Sequence, residues 1–256
     1  MLIEGWSEQR IAAALTIPNS GVAGQGLTVN CHYDSMLSKE SSRSEEHAME
    51  RSTVHVAVYD TLADWEYGHA VARIRNPLGQ REPGRFQVVT VAESPDPVTT
   101  MGGFRILPDL VLADLRPQDS AMLLLPGADR WEEENGNAAF ARKAREFLAA
   151  GVPVAAICGA TLGLAREGLL DDRDHTSSAA DYVGSTGYRG AERYREELAV
   201  TDGNVITAGA AAPIEFAREV LVRLEAYPPE VLDAWYRMFA KNDASAFSAL
   251  AAQAGA

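Results

Sequence analysis

PVAAICGATLGLAR, residues 153–166, is a short apolar run that leads through a Cys-Gly pair into a segment that favours helix. A run rich in Val, Ala and Ile that enters through a proline indicates a buried strand, and the Cys-Gly pair indicates a sharp turn into a helix. Cys158 lies at this turn. The pattern predicts an α/β protein in which the Cys158 side chain is held beyond the carboxyl edge of the sheet.

The chemistry of Cys158 follows from that position. Backbone N–H groups and the dipole of the following helix favour negative charge at the turn, so we expect a stabilised thiolate and a nucleophilic cysteine. The alternative is a small cysteine buried in the core, since free cysteine is among the most buried residue types.

The composition narrows the class of protein. The 256 residues include 36 acidic and 23 basic ones, and the net charge of −13 opposes binding to nucleic acid or to anionic membranes. Cys31 and Cys158 are far apart and form no CxxC motif, which is typical of a reducing cytoplasm. No run approaches about 20 apolar residues, and the start has no secretory signal pattern. We therefore expect a cytoplasmic protein that binds neither nucleic acid nor membrane.

The chain divides by composition into three parts. Residues 1–53 end in a polar tract that buries too little apolar surface to offset its ordering entropy, so we expect a flexible extension. The alternative is a start codon assigned upstream of the true one at Met49, and the intact mass of the native protein distinguishes the two. Residues 54–226 carry the patterns of one domain, and residues 227–256 predict a helical extension.

Strand and helix patterns alternate along this domain. Apolar runs predict strands at 54–59, 86–91, 121–125, 198–200 and 205–207, with a hairpin or strand pair within 101–114. Helices are predicted at 64–75 with Asp64 as N-cap, at 137–150 and 212–224, and as two short helices within 228–256. This alternation predicts a mostly parallel sheet with helices on both faces, and ligands bind such sheets beyond the carboxyl ends of the strands.

Three motifs, in this order and spacing, resemble a known family. They are LLPG at 124–127 before a helix, VAAIC at 154–158 at the turn, and TDGNVITAG at 201–209 before the last helix. The resemblance spans about residues 54–226 and is to the ThiJ/PfpI family of the class I glutamine amidotransferase-like superfamily. It implies a flavodoxin-like sandwich and often a homodimer.

The resemblance also pairs the cysteine with an acid from the first helix. DWEYG at 64–68 fits that place and makes Glu66 the counterpart. A largely buried carboxyl beside a thiol tends to have its pKa raised, and when protonated it can donate a hydrogen bond to a thiolate or a sulfenate. The alternative is a solvated helix glutamate beside Trp65.

His175 occupies the loop position where many members of this family carry a histidine. The resemblance makes it a candidate general base or acid for the cysteine or the substrate. The alternative is a surface histidine, and its orienting acid stays open between Asp174, Asp181 and a residue of a partner chain. His69 lies on the same helix face as Glu66 and could also approach the pocket.

Backbone donors complete the predicted site. Gly127 and the N–H groups of Ala128 and Gly159 would form an oxyanion hole beside the sulfur, where a tetrahedral intermediate develops charge. The alternative for Gly127 is that it only terminates a strand. Three aromatic residues line either the pocket or the core: Trp65, Trp131 and Tyr182.

The sequence departs from the family patterns in two places, and each departure argues against one activity. Glutaminase members place an acid two residues after the histidine, whereas Thr176-Ser177-Ser178 follows His175, so glutamine hydrolysis is disfavoured. The branch linked to peptidases places a histidine directly after the cysteine. This chain has Gly159 there, which weakens the peptidase interpretation.

The sequence therefore predicts an enzyme that uses Cys158 on a small electrophile, such as an α-oxoaldehyde, a nitrile-like carbon or an amide. This description includes hydrolases, lyases and glyoxalase- or deglycase-like enzymes. Two alternatives stay open: a redox-responsive stress protein in which Cys158 is oxidised beside Glu66, and a small-molecule binding protein without chemistry. The chain has no HExxH, CxxC or Walker A pattern and no GxGxxG after a strand, so we expect neither a metal nor a cofactor.

Overall fold

The computed structural model describes residues 52–247 and Leu250, which include nine strands, six complete α-helices and further helical residues at 245–247 and 250. The strands are β1 (Ser52–Ala57), β2 (Phe86–Ala92), β3 (Val98–Thr99), β4 (Arg105–Ile106), β5 (Leu110–Val111), β6 (Met122–Leu125), β7 (Val154–Ile157), β8 (Ala199–Asp202) and β9 (Val205–Ala208). The helices are α1 (Asp64–Arg75), α2 (Ala138–Ala149), α3 (Ala160–Arg166), α4 (Ala180–Gly184), α5 (Pro213–Arg223) and α6 (Pro229–Lys241). The predictions for residues 1–51, 248–249 and 251–256 lie outside the described residues.

Seven of these strands form the central sheet, in the order β5-β2-β1-β6-β7-β9-β8. Every neighbouring pair in it is parallel except β8 with β9, which form a hairpin around Gly203 and Asn204. Gly203 has a φ of +59°, the left-handed conformation that tight turns require. The mostly parallel sheet confirms the predicted flavodoxin-like α/β class.

The sheet separates two hydrophobic cores because successive side chains of a strand point to opposite faces. Leu123 and Leu125 of β6 pack into one core with α2 and α3, while Met122 and Leu124 pack into the other with α1, α5 and α6. Both faces of the sheet are therefore covered, which explains why β6 and β7 are apolar at every position.

The functional edge of the sheet is set by the parallel strands. β1, β6, β7 and β9 run in the same direction, so the residues that follow them meet at one edge. These residues are Tyr59 after β1, Gly127 after β6, Cys158 after β7 and Gly209 after β9.

The structure differs from the sequence prediction in three local features. The strand pair predicted within 101–114 begins earlier, since β3 precedes position 101 and pairs with β4, and β5 leaves this segment to extend the main sheet beside β2. α4 lies in a segment for which no helix was expected. Asp64 is the first helical residue instead of the N-cap, and its carboxylate accepts a hydrogen bond from the Gly102 N–H at 2.6 Å.

Candidate active site

Cys158 lies at a strained turn between β7 and α3. Its φ of +57° falls in the left-handed region that residues with a side chain rarely adopt. The turn is fixed on both sides, since the Cys158 N–H donates to the Ala208 carbonyl at 3.0 Å and the Cys158 carbonyl accepts from the Thr161 hydroxyl at 2.6 Å. The half-buried thiol is thereby held at the carboxyl edge of the sheet.

Glu66 reaches this thiol from the first turn of α1. The residue is fully buried, with 0% of its surface exposed, and its Oε2 accepts a hydrogen bond from the Gly127 N–H at 2.6 Å. The other oxygen, Oε1, is buried without a hydrogen-bond partner among the described residues. Burial raises the pKa of Glu66 to about 7, while the hydrogen bond from the Gly127 N–H and the adjacent Cys158 thiol oppose the rise.

A glycine is required at position 127 because the Glu66 and Cys158 side chains both approach it closely. A Cβ at this position would lie 2.6 Å from Glu66 Oε2 and 2.9 Å from the Cys158 Cβ. Any side chain here would therefore separate the acid from the thiol. Because its N–H donates to Glu66, the predicted oxyanion donors that remain are those of Ala128 and Gly159.

The surroundings of the sulfur raise the pKa of the Cys158 thiol, whereas the helix dipole alone would lower it. Burial and the neighbouring Glu66 carboxylate raise the pKa of the Cys158 thiol to about 12. The Ser178 hydroxyl and the Gly159 N–H, which lie against the sulfur, oppose this rise without cancelling it. The expected stabilised thiolate is therefore corrected: beside an ionised Glu66, the thiol form is favoured.

Ser178 is a site residue that the sequence interpretation missed. Its hydroxyl approaches the Cys158 thiol and also accepts a hydrogen bond from the Ala210 N–H at 3.3 Å. A serine in a polar loop gives no distinctive sequence signal. Its place in the chain, three residues after the histidine that the resemblance identified, was the only available indication.

His175 lies in the same loop, but its ring is turned away from the sulfur. Its Nδ1 is 2.8 Å from the Arg173 carbonyl and its Nε2 is 2.8 Å from the Tyr188 hydroxyl. A carbonyl only accepts, so Nδ1 carries the proton and Nε2 accepts from Tyr188. Burial lowers the pKa of His175, which favours this neutral form. Within residues 52–247, no hydrogen bond joins the imidazole to Cys158.

Hydrogen bonds connect the histidine loop to the cysteine turn. The Ser177 hydroxyl is 2.7 Å from the Thr161 hydroxyl, which in turn donates to the Cys158 carbonyl. The Thr176 N–H donates to the Thr207 hydroxyl at 2.9 Å, which fixes the loop to β9. The loop that carries Ser178 is therefore rigidly placed against the turn.

Aromatic residues support the opposite side of the site. Trp131 is fully buried, and its indole N–H donates to the Pro126 carbonyl at 3.0 Å. The Tyr59 hydroxyl donates to the same carbonyl, which fixes the strand end that precedes Gly127. Tyr182 is partly buried near the thiol, and its hydroxyl donates to Glu132 at 3.1 Å.

Two other predicted residues lie elsewhere. Trp65 is 49% exposed at the start of α1, and its indole N–H donates to the Ala210 carbonyl at 3.3 Å. His69 packs against Trp235 and Phe239 of α6, with ring centroids 6.1 and 5.2 Å away. It therefore belongs to the contact between α1 and α6.

The described part of the chain has neither a metal-binding cluster nor a membrane-spanning helix. Residues 52–247 hold no cluster of three His, Cys, Asp or Glu side chains arranged to bind a metal ion. None of the helices in this range combines the length and apolarity needed to cross a membrane.

Comparison with known proteins places this architecture in a family. The sequence profile of the DJ-1/PfpI family matches residues 52–223. The Bacillus subtilis (strain 168) protein named "Uncharacterized protease YoaZ" is 37% identical over 193 residues, which cover 74% of this chain and 91% of that protein. A second protein of that strain, "Uncharacterized protease YdeA", is 32% identical over 184 residues, which cover 69% of this chain and 85% of that protein.

Solved structures agree with this result. The crystal structure of a ThiJ/PfpI family protein from Bacillus anthracis has a TM-score of 0.75 and 33% identity, covering 82% of this chain and all of that one. The DJ-1 superfamily protein Atu0886 from Agrobacterium tumefaciens has a TM-score of 0.67 and 34% identity, covering 75% of this chain and 98% of that one. The profile match, the relatives and the shared fold confirm the predicted resemblance, and the chain belongs to the DJ-1/PfpI family of the class I glutamine amidotransferase-like superfamily.

Proposed function

We propose that this protein is an enzyme that uses Cys158 as a nucleophile on a small electrophilic substrate. One observation carries the proposal: a fully buried carboxyl with an unpartnered oxygen, Glu66 Oε1, lies against a thiol at a strained strand-to-helix turn. A buried oxygen without a hydrogen-bond partner lowers the stability of the fold. Strained backbone conformations such as that of Cys158 are concentrated at functional sites. Family membership and relatives named as proteases support enzyme-like chemistry.

The protonation states of Glu66 and Cys158 suggest how the thiol is activated. With a pKa of about 7 for Glu66 and about 12 for Cys158, the pair loses one proton as the pH rises through 7, and the proton that remains above pH 7 is held mainly on sulfur. As the sulfur attacks the substrate carbon, Glu66 takes the thiol proton and acts as a general base whose pKa suits neutral conditions. The protonated carboxyl then returns that proton to the intermediate or to the leaving group.

Hydrogen-bond donors are needed to stabilise the negative charge that develops on the substrate. The N–H groups of Gly159 and Ala128 lie at the turn and after β6, and we assign them this task. The Ser178 hydroxyl, next to the sulfur, stabilises the thiolate as the proton leaves. We place His175 one step away, as a positioning residue that holds the loop carrying Ser178. The homodimer that the family resemblance implies stays a prediction.

A second candidate function, oxidant sensing, is favoured by the same carboxyl. When Glu66 is protonated, its Oε1–H can donate a hydrogen bond to an oxidised Cys158, such as a sulfinate formed by peroxide. Peroxide treatment followed by mass spectrometry separates the two functions. Stable sulfinate at Cys158 in a protein without turnover favours sensing.

The enzyme proposal is tested by screening α-oxoaldehydes, nitriles and amides with the full chain in a Cys31→Ser background. Any active substrate should lose turnover in Cys158→Ala, and Glu66→Gln should lower kcat by about 10²- to 10⁴-fold, the range for loss of a general base. Undiminished turnover in Cys158→Ala would overturn the proposal.

A further inference from the structure

Thr61 has a backbone conformation that its own side chain disfavours. It follows β1 and has a φ of +63°, in the left-handed region where a β-branched residue is a genuine outlier. Glycine adopts such a φ without strain, as Gly203 does in the β8–β9 hairpin. Strain at a threonine persists only where the surrounding contacts fix it. The contacts of the Thr61 side chain therefore indicate its role.

The hydroxyl of Thr61 binds the loop that follows β6. Its oxygen accepts a hydrogen bond from the Asp129 N–H at 3.0 Å, across 68 positions of sequence. The neighbouring backbone pairs at the same place, since Leu62 forms an antiparallel bridge with Ala128. The strained residue is therefore bonded to the peptide that directly follows Ala128, one of the two predicted oxyanion donors.

The Ala128 N–H is free within a segment that is otherwise fully bonded. Every other backbone N–H and carbonyl of residues 127–129 has a partner, and the partners are Glu66 and Ala63 for Gly127, Trp131 for Ala128, and Thr61 and Glu132 for Asp129. The part of the chain that the structure describes offers no partner to the Ala128 N–H, although the residue is only 8% exposed. Ala128 borders the cysteine turn, since a Cβ on Gly159 would lie 3.2 Å from its carbonyl oxygen. Because buried backbone N–H groups are nearly always paired, a free one beside this turn is available to a bound group.

We propose that Thr61 is a positioning residue for the oxyanion donor of Ala128. The inference rests on the proposed function, in which that N–H stabilises the charge on the substrate. On one side of Ala128, the Gly127 N–H is held by Glu66. On the other side, the Asp129 N–H is held by Thr61. A donor fixed on both sides is oriented before the charge develops, which is what makes such donors effective. A glycine in place of Thr61 would relieve the strain but would leave the loop unheld on one side.

The test compares two neutral reagents, of which only one forms an oxyanion. Iodoacetamide alkylates the sulfur by displacement of iodide. With p-nitrophenyl acetate, the sulfur attacks the carbonyl carbon as the thiol proton passes to Glu66, and the carbonyl oxygen becomes negative. The acyl–oxygen bond then breaks, which releases p-nitrophenolate and leaves S-acetylated Cys158. In full-length protein with Cys31→Ser, mass spectrometry gives both rates at Cys158, and the acylation rate divided by the alkylation rate reports the oxyanion donors separately from the reactivity of the sulfur.

Thr61→Gly should lower this ratio by about tenfold, because a misplaced donor loses part of the roughly 10²- to 10³-fold that an oxyanion donor supplies. The variant should still fold, since glycine adopts a positive φ without strain. Thr61→Ser keeps the hydroxyl and should recover most of the ratio. The matched control is Glu225→Gly, which removes an exposed side chain at another left-handed residue, with a φ of +52° after α5, and should leave the ratio unchanged.

The outcomes separate the two proposals. A ratio that Thr61→Gly leaves unchanged, or that Glu225→Gly lowers equally, overturns the positioning role of Thr61 while leaving the nucleophile proposal intact. A ratio that stays low in Thr61→Ser also overturns it, because the hydroxyl would then not be what holds the donor. Failure of both reagents to modify Cys158 in the parent overturns the proposed function and this inference with it.

Discussion

The Gly127 N–H donates to Glu66 Oε2 at 2.6 Å, joining the end of β6 to the first turn of α1 across 61 positions of sequence. This bond uses one carboxyl oxygen, the other has no hydrogen-bond partner among the described residues, and the Cys158 thiol lies beside the carboxyl. Because Gly127 has no side chain, both groups approach the same point. The acid and the thiol therefore act as one titrating pair, and the pH dependence of the site follows from that coupling.

The first prediction concerns the rate of Cys158 alkylation by iodoacetamide. The pair loses its first proton near pH 7 and its second near pH 12, and the singly protonated pair is the reactive form. The rate should rise through about pH 7 and then level off. In Glu66→Gln the step near pH 7 should disappear, and the rate should follow the ionisation of the thiol alone.

The measurement uses Cys31→Ser protein, so that only Cys158 reacts. Removing the Glu66 charge also lowers the pKa of the thiol, because the ionised carboxylate raises it. The test therefore compares how the alkylation rate changes with pH in the two proteins, not their absolute rates. Identical profiles for the parent and Glu66→Gln would contradict the coupled pair.

The second prediction concerns the free energy of unfolding. The pKa of Glu66 rises from 4.5 to about 7 on folding, so between these values the native state holds a proton that the unfolded chain has lost. Stability contributed by this group is complete below pH 4.5 and is lost as pH rises through 7, by about 3 kcal/mol in total. Glu66→Gln lacks this loss, so its advantage over the parent should grow between pH 5 and pH 8.

Urea unfolding at the two pH values measures the difference directly. All other titrating groups are shared by the two proteins, and Gln can still accept the hydrogen bond from Gly127. An equal stability difference at pH 5 and pH 8 would show that the carboxyl has an ordinary pKa.

The fold was predictable where the sequence carries long patterns. The apolar runs of β6 and β7 and the turn at Gly203 are strong signals, and each element formed where expected. β5 and α4 were missed because they have two and five residues. An element of that length completes its period only once, which is too short for a repeating pattern, so tertiary contacts decide whether it forms.

Part of the site could be predicted from the sequence, and the kind of evidence differed from residue to residue. The turn around Cys158 was visible in the residues themselves, whereas Glu66 came from the family resemblance. The raised pKa of the thiol was not visible, because burial and a carboxylate from a distant helix outweigh the local helix dipole. The hydrogen-bond partner of His175 was not predicted either, since Tyr188 lies 13 residues further along the chain, beyond α4.

The third prediction concerns Ser178. Its hydroxyl lowers the pKa of the Cys158 thiol, so Ser178→Ala should raise that pKa further and slow alkylation at pH 8. We expect a rate about tenfold lower, since a hydrogen bond to a charged group contributes roughly 1.5 kcal/mol or more. Ser178→Thr keeps a hydroxyl and should recover most of the rate. Ser94→Ala removes an exposed hydroxyl that bonds Asp96 and should have no effect.

The fourth prediction separates a positioning role for His175 from a catalytic one. Its ring nitrogens bond the Arg173 carbonyl and the Tyr188 hydroxyl, so His175→Gln and Tyr188→Phe should each destabilise the fold by about 1–3 kcal/mol. In both variants, alkylation of Cys158 in the folded protein should stay within about threefold of the parent, well below the loss expected for a general base. A large loss of reactivity in His175→Gln that Tyr188→Phe does not share would instead assign the imidazole a direct role in proton transfer.

The fifth prediction compares two helical glycines. A Cβ on Gly163 of α3 would lie within 3.0 Å of three atoms of the Trp131 indole, whereas a Cβ on Gly68 of α1 has nothing within 4 Å. Gly163→Ala should therefore destabilise the protein by about 1–3 kcal/mol through overpacking. It should also slow Cys158 alkylation, because Trp131 bonds the Pro126 carbonyl. Gly68→Ala should stabilise the fold by up to about 1 kcal/mol through helix propensity alone. Urea unfolding that gives both variants the same sign would contradict the close packing of Trp131 on α3.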